Sequence, residues 1–167
     1  DGVKDFVLGR YGIHFHHAME GSRGVVIEGN VVRDTQSHAY VPHMSNGITL
    51  KDNIAYNVVE TPFWYDEEEA SHDSQWIHNI AAKVSFVRSS DNGVKPVGDP
   101  NLAVAGFQLG LGDGNIARDN VVVGIAPGDP HSEGGFEWEA NNEGVWVFEN
   151  NIAHNNGTAL RVWQNTT

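Results

Sequence analysis

The chain has 167 residues and no cysteine, and its 22 acidic and 10 basic side chains leave a formal net charge of −12. The length suits one domain, the missing cysteines exclude disulfides, thiolate catalysis and cysteine-based zinc sites, and the negative charge favours cations and argues against a nucleic-acid partner. No apolar run is long enough to cross a bilayer as a helix, no secretory leader is visible, and the start at Asp1 rather than Met reads as a piece of a longer chain.

Helical periodicity is nearly absent, and two kinds of short strand alternate along the chain. The first kind opens at Ile13-His-Phe-His16 and returns at Tyr40-Val-Pro-His43, Phe63-Trp-Tyr-Asp66, Phe107-Gln-Leu109, Phe136-Glu-Trp-Glu139 and Leu160-Arg-Val-Trp163. The second kind ends in asparagine: Gly24 to Asn30, Gly47 to Asn53, Ser74 to Asn79, Gly114 to Asn120 and Gly144 to Asn151. The asparagines are 23, 26, 41 and 31 residues apart. The long interval holds residues 85–104, whose Ser89–Pro100 stretch is rich in turn formers and reads as a loop insertion.

A repeat in the low twenties suits one coil of a right-handed parallel β-helix, an all-β fold in which each coil buries its apolar face on the next at roughly 4.8 Å. Residues 1–167 form a single such domain. Asparagine suits the repeated corner because it tolerates left-handed backbone and bonds locally; a ladder of corner asparagines is expected, and Asn53→Ala should destabilise the fold by roughly 1–3 kcal/mol. The competing architecture is a β-sandwich with asparagine-rich turns.

Side chains alternate faces along a strand. Ile13/Phe15, Tyr40/Pro42, Phe63/Tyr65, Phe107/Leu109, Phe136/Trp138 and Leu160/Val162 therefore point inward. His14, His16, Val41, His43, Trp64, Asp66, Gln108, Glu137, Glu139, Arg161 and Trp163 point outward as a polar stripe edged with tryptophan. His14, His16, His43 and Asp66 fall on adjacent coils and form a candidate metal site, whose three nitrogens and one carboxylate suit zinc, manganese or iron. Asp66, Glu137 and Glu139, with His14, are the candidate acids and bases of glycan cleavage, which commonly uses two carboxylates. Trp64, Gln108, Arg161 and Trp163 are candidate substrate contacts. The run Asp66–Glu69 also reads as a solvated acidic loop. His17, His72, His78, His131 and His154 lack this pattern and read as structural or exposed residues.

Gly9-Arg-Tyr-Gly-Ile-His-Phe-His16, then His43-Met-Ser-Asn-Gly-Ile-Thr-Leu-Lys-Asp-Asn53, then Phe63-Trp-Tyr-Asp-Glu-Glu68 resemble the β-helix region of one family. It includes the cell-migration-inducing hyaluronan-binding protein, the transmembrane cell-surface hyaluronidase and the fibrocystin-like proteins. The likeness is close over about residues 9–80 and looser over 105–160. Gly12 stands where the family has proline, Met44 where it has glycine, and Asp66–Glu69 only approximates its Glu-Asp-Gly. The family's disulfide cysteines are missing. The resemblance implies the β-helix fold, a functional role for His14, His16 and His43, and, in some members, calcium-dependent depolymerisation of hyaluronan.

Two functions from different classes fit. One is a secreted or cell-surface polysaccharide hydrolase or lyase assisted by a divalent metal. The other is a non-catalytic β-helix module of a larger surface protein that binds glycans or proteins.

Overall fold

The computed structural model describes residues 11–65, 70–85, 104–125, 133–138 and 144–162. Among them the chain winds through coils of three strands each. The first coil holds β1 (Ile13–Met19), β2 (Val26–Glu28) and β3 (Val31–Arg33); the second β4 (Tyr40–Ser45), β5 (Thr49–Lys51) and β6 (Ile54–Val59). The third holds β7 (Phe63–Trp64), β8 (Gln75–Ile77) and β9 (Ile80–Ser85); the fourth β10 (Val104–Leu109), β11 (Asn115–Arg118) and β12 (Val121–Ile125). The fifth holds β13 (Glu133–Trp138), β14 (Trp146–Glu149) and β15 (Ile152–His154), and β16 (Thr158–Val162) follows. Strands at equivalent places in successive coils pair in parallel, giving three sheets: β1-β4-β7-β10-β13-β16, β2-β5-β8-β11-β14 and β3-β6-β9-β12-β15. This is a parallel β-helix. A single 3₁₀ turn, Glu20–Ser22, is the only helical element among the described residues.

What the sequence presents as one strand ending in asparagine is two strands around a corner. The residue before each corner asparagine is left-handed: Gly29, Asp52, His78, Asp119 and Asn150 have φ of 70, 55, 56, 57 and 55°. Each asparagine then binds its neighbours along the axis. Asn53 Nδ2 donates to Asn79 Oδ1 at 3.1 Å and to the Ile27 carbonyl at 2.8 Å, and its Oδ1 accepts from Asn30 N at 3.0 Å. The pattern repeats through Asn79, Asn120 and Asn151. Asn53, Asn79 and Asn120 are fully buried, so this ladder satisfies donors and acceptors that water cannot reach.

The inward positions are those that alternation assigns. Tyr40, Phe63, Phe107 and Phe136 occupy one register line of the first sheet and stack along the axis, with ring centroids 4.8, 4.3 and 5.2 Å apart. Trp76 enters the same core from β8. Leu160 and Val162 hold the corresponding register in β16 but are exposed, because β16 ends its sheet. The expected loop at 85–104 overlaps strand by one residue at each end, since β9 includes Ser85 and β10 starts at Val104; its interior, 86–103, lies outside the described residues.

Candidate metal centre

The histidines owe their positions to two features of the first sheet. In β1, Ile13 and Phe15 pack against the core, which turns His14 and His16 outward. The β1–β4 register then sets His16 opposite His43, next to Phe15 opposite Pro42. Proline has no N–H to give to a ladder, and β4 pairs with β7 only at Tyr40–Phe63. Ser71 fills the gap: the Ser45 N–H donates to its Oγ at 3.0 Å, and that hydroxyl donates to the Pro42 carbonyl at 3.4 Å.

One ring nitrogen each from His14, His16 and His43 lies within 4.8 Å of the others. His16 is exposed and the other two are half-buried. Nitrogens around a tetrahedral zinc-sized ion are about 3.4 Å apart, so small side-chain rotations bring this trio to ligand spacing.

His17 is exposed, as expected, but its ring also meets the group. Beyond His16 the register slips, with Met19 opposite Ser45, so β1 carries one extra residue. His17 and Met19 take left-handed backbone, with φ of 53 and 49°. Such a bulge re-aims a side chain. Strict alternation would send His17 inward; instead its exposed ring stacks on His16 at 4.0 Å and 19° and meets His43 edge-on at 4.7 Å.

On the other side of His14 lies an aromatic group. Tyr11 packs edge-on against His14 at 4.8 Å, His38 at 5.2 Å and Trp64 at 5.8 Å, while His38 stacks flat on Trp64 at 4.1 Å. One indole face of Trp64 is therefore taken and not open as a sugar platform. The chain comes close here because position 12 is glycine: a Cβ there would fall 2.7 Å from both the Ala39 carbonyl oxygen and Val32 Cγ1, and the Gly12 N–H donates to the His38 carbonyl at 3.1 Å. Proline at this position would lose that donor.

His38 and Glu60 are the ionisable groups that sequence reading missed. The ring Nδ1 of His38 is 2.7 Å from the Thr61 carbonyl and its Nε2 is 3.5 Å from Glu60 Oε2, which also accepts from the Ser37 hydroxyl at 3.0 Å. Burial pushes Glu60 up to about 7 and His38 down to about 4.

The rest of the outward stripe exists as a register line: Trp64, Gln108, Glu137 and Arg161 face one another in turn across β7, β10, β13 and β16. Its middle is not an open surface, because Gln108 and Glu137 are only 4% and 2% exposed. Glu137 is also remote from the histidines. Four interstrand steps separate β13 from β1, about 19 Å at the usual strand spacing. Asp66, Glu139 and Trp163 lie outside the described residues, as does His131. His78 bonds Asp52 at a corner and His72 accepts from the Asp113 N–H, which are structural uses.

Comparison with known proteins decides the family. The family model described as CEMIP beta-helix matches residues 2–160. The chain belongs to the CEMIP beta-helix family. A G8 domain-containing protein of Dictyostelium discoideum is 27% identical over 96 residues, which is 58% of this chain and 6% of that relative. The match thus spans a small part of the relative's length. No solved structure gives a significant match. Among the described residues no helix is long and apolar enough to cross a membrane.

Proposed function

We propose that this chain is the β-helix of a hyaluronan-related, secreted or cell-surface protein, and that it degrades polysaccharide with the help of a divalent ion held by His14, His16 and His43. The observation that carries this reading is the convergence of three imidazole nitrogens within 4.8 Å, from two paired strands, with His16 open to solvent. Catalytic zinc sites likewise use three protein donors and leave one side for substrate or water. The donor set suits zinc, manganese or iron. Calcium, which the family resemblance implies, takes roughly six to eight oxygens and does not fit three imidazoles. An ion held by His14, His16 and His43 would supply a Lewis acid to the reaction. Asp66 is the nearest candidate carboxylate in sequence order and Glu139 a further candidate acid or base, whereas Glu137, buried and four strands from β1, is not placed to act at this centre. Trp64, Arg161 and Trp163 are the candidate glycan contacts, while the buried Gln108 is not open to a glycan.

The test pairs metal titration with reducing-end release from hyaluronan and from neutral polysaccharides, with and without chelator. Wild type should bind the ion and release ends only when loaded; His16→Ala and His43→Ala should lose both properties. Binding should weaken as pH falls, because protons compete for the ring nitrogens. If both variants bind metal as tightly as wild type, the centre is elsewhere. The burial of Gln108 and Glu137 favours a second reading, a non-catalytic glycan-binding module, for which hyaluronan binding without release of ends is the expected result.

A further inference from the structure

The bulge in β1 adds to the histidine triad a fourth imidazole that the metal reading does not use. His17 sits in left-handed backbone, a region where non-glycine residues are uncommon. Corner residues such as Asp52 and His78 share that backbone region, so the ring contacts, not the backbone, single His17 out. Its ring lies flat on His16, with centroids 4.0 Å apart and planes 19° apart, and edge-on to His43 at 4.7 Å and 89°. The other pairs are different: His14–His16 and His16–His43 are 5.2 and 5.0 Å apart and nearly perpendicular, at 67 and 71°. Rings bound side by side to one tetrahedral ion have centroids roughly 5 Å apart, given metal–nitrogen bonds of about 2.1 Å. These two pairs match that spacing. The parallel His16–His17 pair is too close for it, and His17 is not in the converging set.

We infer that His17 is a positioning residue of the centre: its ring lies against His16, the most exposed of the three donors, and holds that ring in the orientation that lets it converge with His14 and His43. This rests on the metal reading above. Without the His17 ring, the His16 side chain has solvent on that face and several rotamers to choose from, and fixing it on binding costs side-chain entropy. Residues that orient metal ligands without touching the ion commonly change affinity by about 10–100-fold when removed.

Cobalt(II) is the probe, because its visible absorption reports both occupancy and ligand geometry. The variants are His17→Gly and His17→Phe in the intact chain. Glycine removes the ring and suits a positive φ, so the bulge keeps its backbone; phenylalanine restores a flat ring that cannot ligate. His17→Gly should bind cobalt about 10–100-fold more weakly than wild type, with altered visible bands. His17→Phe should recover most of the affinity and the wild-type spectrum. All three proteins should share the same far-ultraviolet circular dichroism. Wild-type affinity and spectrum in His17→Gly would overturn the proposal. Loss in both variants with the fold intact would also overturn it, by making His17 a ligand. Failure of the metal reading has a separate signature: wild type itself develops no cobalt bands, and this inference falls with it.

Discussion

Glu60 and His38 share one buried, proton-bearing contact whose pH response can be worked out. The Thr61 carbonyl can only accept, so neutral His38 keeps its proton on Nδ1 and turns a bare Nε2 toward Glu60 Oε2. A protonated Glu60 carboxyl faces that acceptor well. The two shifts act in opposite directions on stability. A carboxyl raised from 4.5 to about 7 adds stability below pH 4.5 that is lost as pH rises through 7. An imidazole lowered from 6.5 to about 4 adds stability above pH 6.5 that is lost as pH falls through 4. Between pH 4.5 and 6.5 the two partly cancel; above 6.5 the Glu60 loss stands alone. Glu60→Gln keeps an acceptor for Ser37 and a donor for His38 but does not titrate. We expect this variant to exceed wild type in stability at pH 8 by on the order of 2 kcal/mol, and to match it near pH 4. Thermal melts at the two pH values check this, and a variant less stable at pH 8 would show that the protein stabilises the ionised carboxylate.

The corner ladder, an element built of one residue per coil, has a gradient from its exposed end to its centre. Asn30 is exposed, whereas Asn79 is fully buried and its side chain makes four hydrogen bonds: it accepts from the backbone and side chain of Asn53 and donates to the Leu50 carbonyl and Asn120 Oδ1. Asn79→Ala orphans buried groups on both sides and should cost about 3 kcal/mol or more, while Asn30→Ala should cost under about 1 kcal/mol; chemical denaturation of the two variants gives the comparison. The ladder was legible in sequence because every coil repeats the same residue at the same corner. Inward and outward positions of the first sheet were legible for the same reason, since Phe15, Tyr40, Phe63, Phe107 and Phe136 mark the core face in five successive strands. The division of each repeat into two sheets was hidden, because the residue that turns the corner varies among Gly29, Asp52, His78, Asp119 and Asn150. His17 was hidden by the bulge, because strict alternation would turn its side chain inward, away from the outward histidines. His38 and Glu60 lie between strands, in the stretches before β4 and after β6, where no period applies, although the 23-residue step linking His38 to Thr61 equals the one linking Asn30 to Asn53. The burial of Gln108 and Glu137 had no signal in the strand pattern at all, since alternation fixes only which side of the sheet a residue takes.

At the scale of the whole molecule, the charge of −12 bears on any acidic polysaccharide. Several basic side chains are already engaged by neighbouring acids: Arg23 by Glu20 and Asp73, Arg33 by Asp34, Lys51 by Glu28 and Asp52, and Arg118 by Asp119 and Glu149. These exposed pairs add little stability, but each one cancels a cation that could have met a uronate. A hyaluronan segment therefore approaches the metal-free chain against net repulsion, which salt screens over about 8 Å at physiological ionic strength. The sign of the salt effect follows. Binding of hyaluronan oligosaccharides by the metal-free chain should strengthen as salt rises from about 20 to about 200 mM, opposite to a protein that grips the polymer with a basic patch. Neutral oligosaccharides should show no such trend. Under the proposed function, a divalent ion in the imidazole centre would place positive charge on the first sheet, so it should raise hyaluronan affinity most at low salt, where repulsion is greatest, and flatten the salt dependence. Calorimetry with oligosaccharides of fixed length, run with and without metal, separates these cases. A metal-free chain whose hyaluronan affinity falls steadily with added salt would show that a local cation, with Arg161 the first to substitute, outweighs the field of the whole molecule.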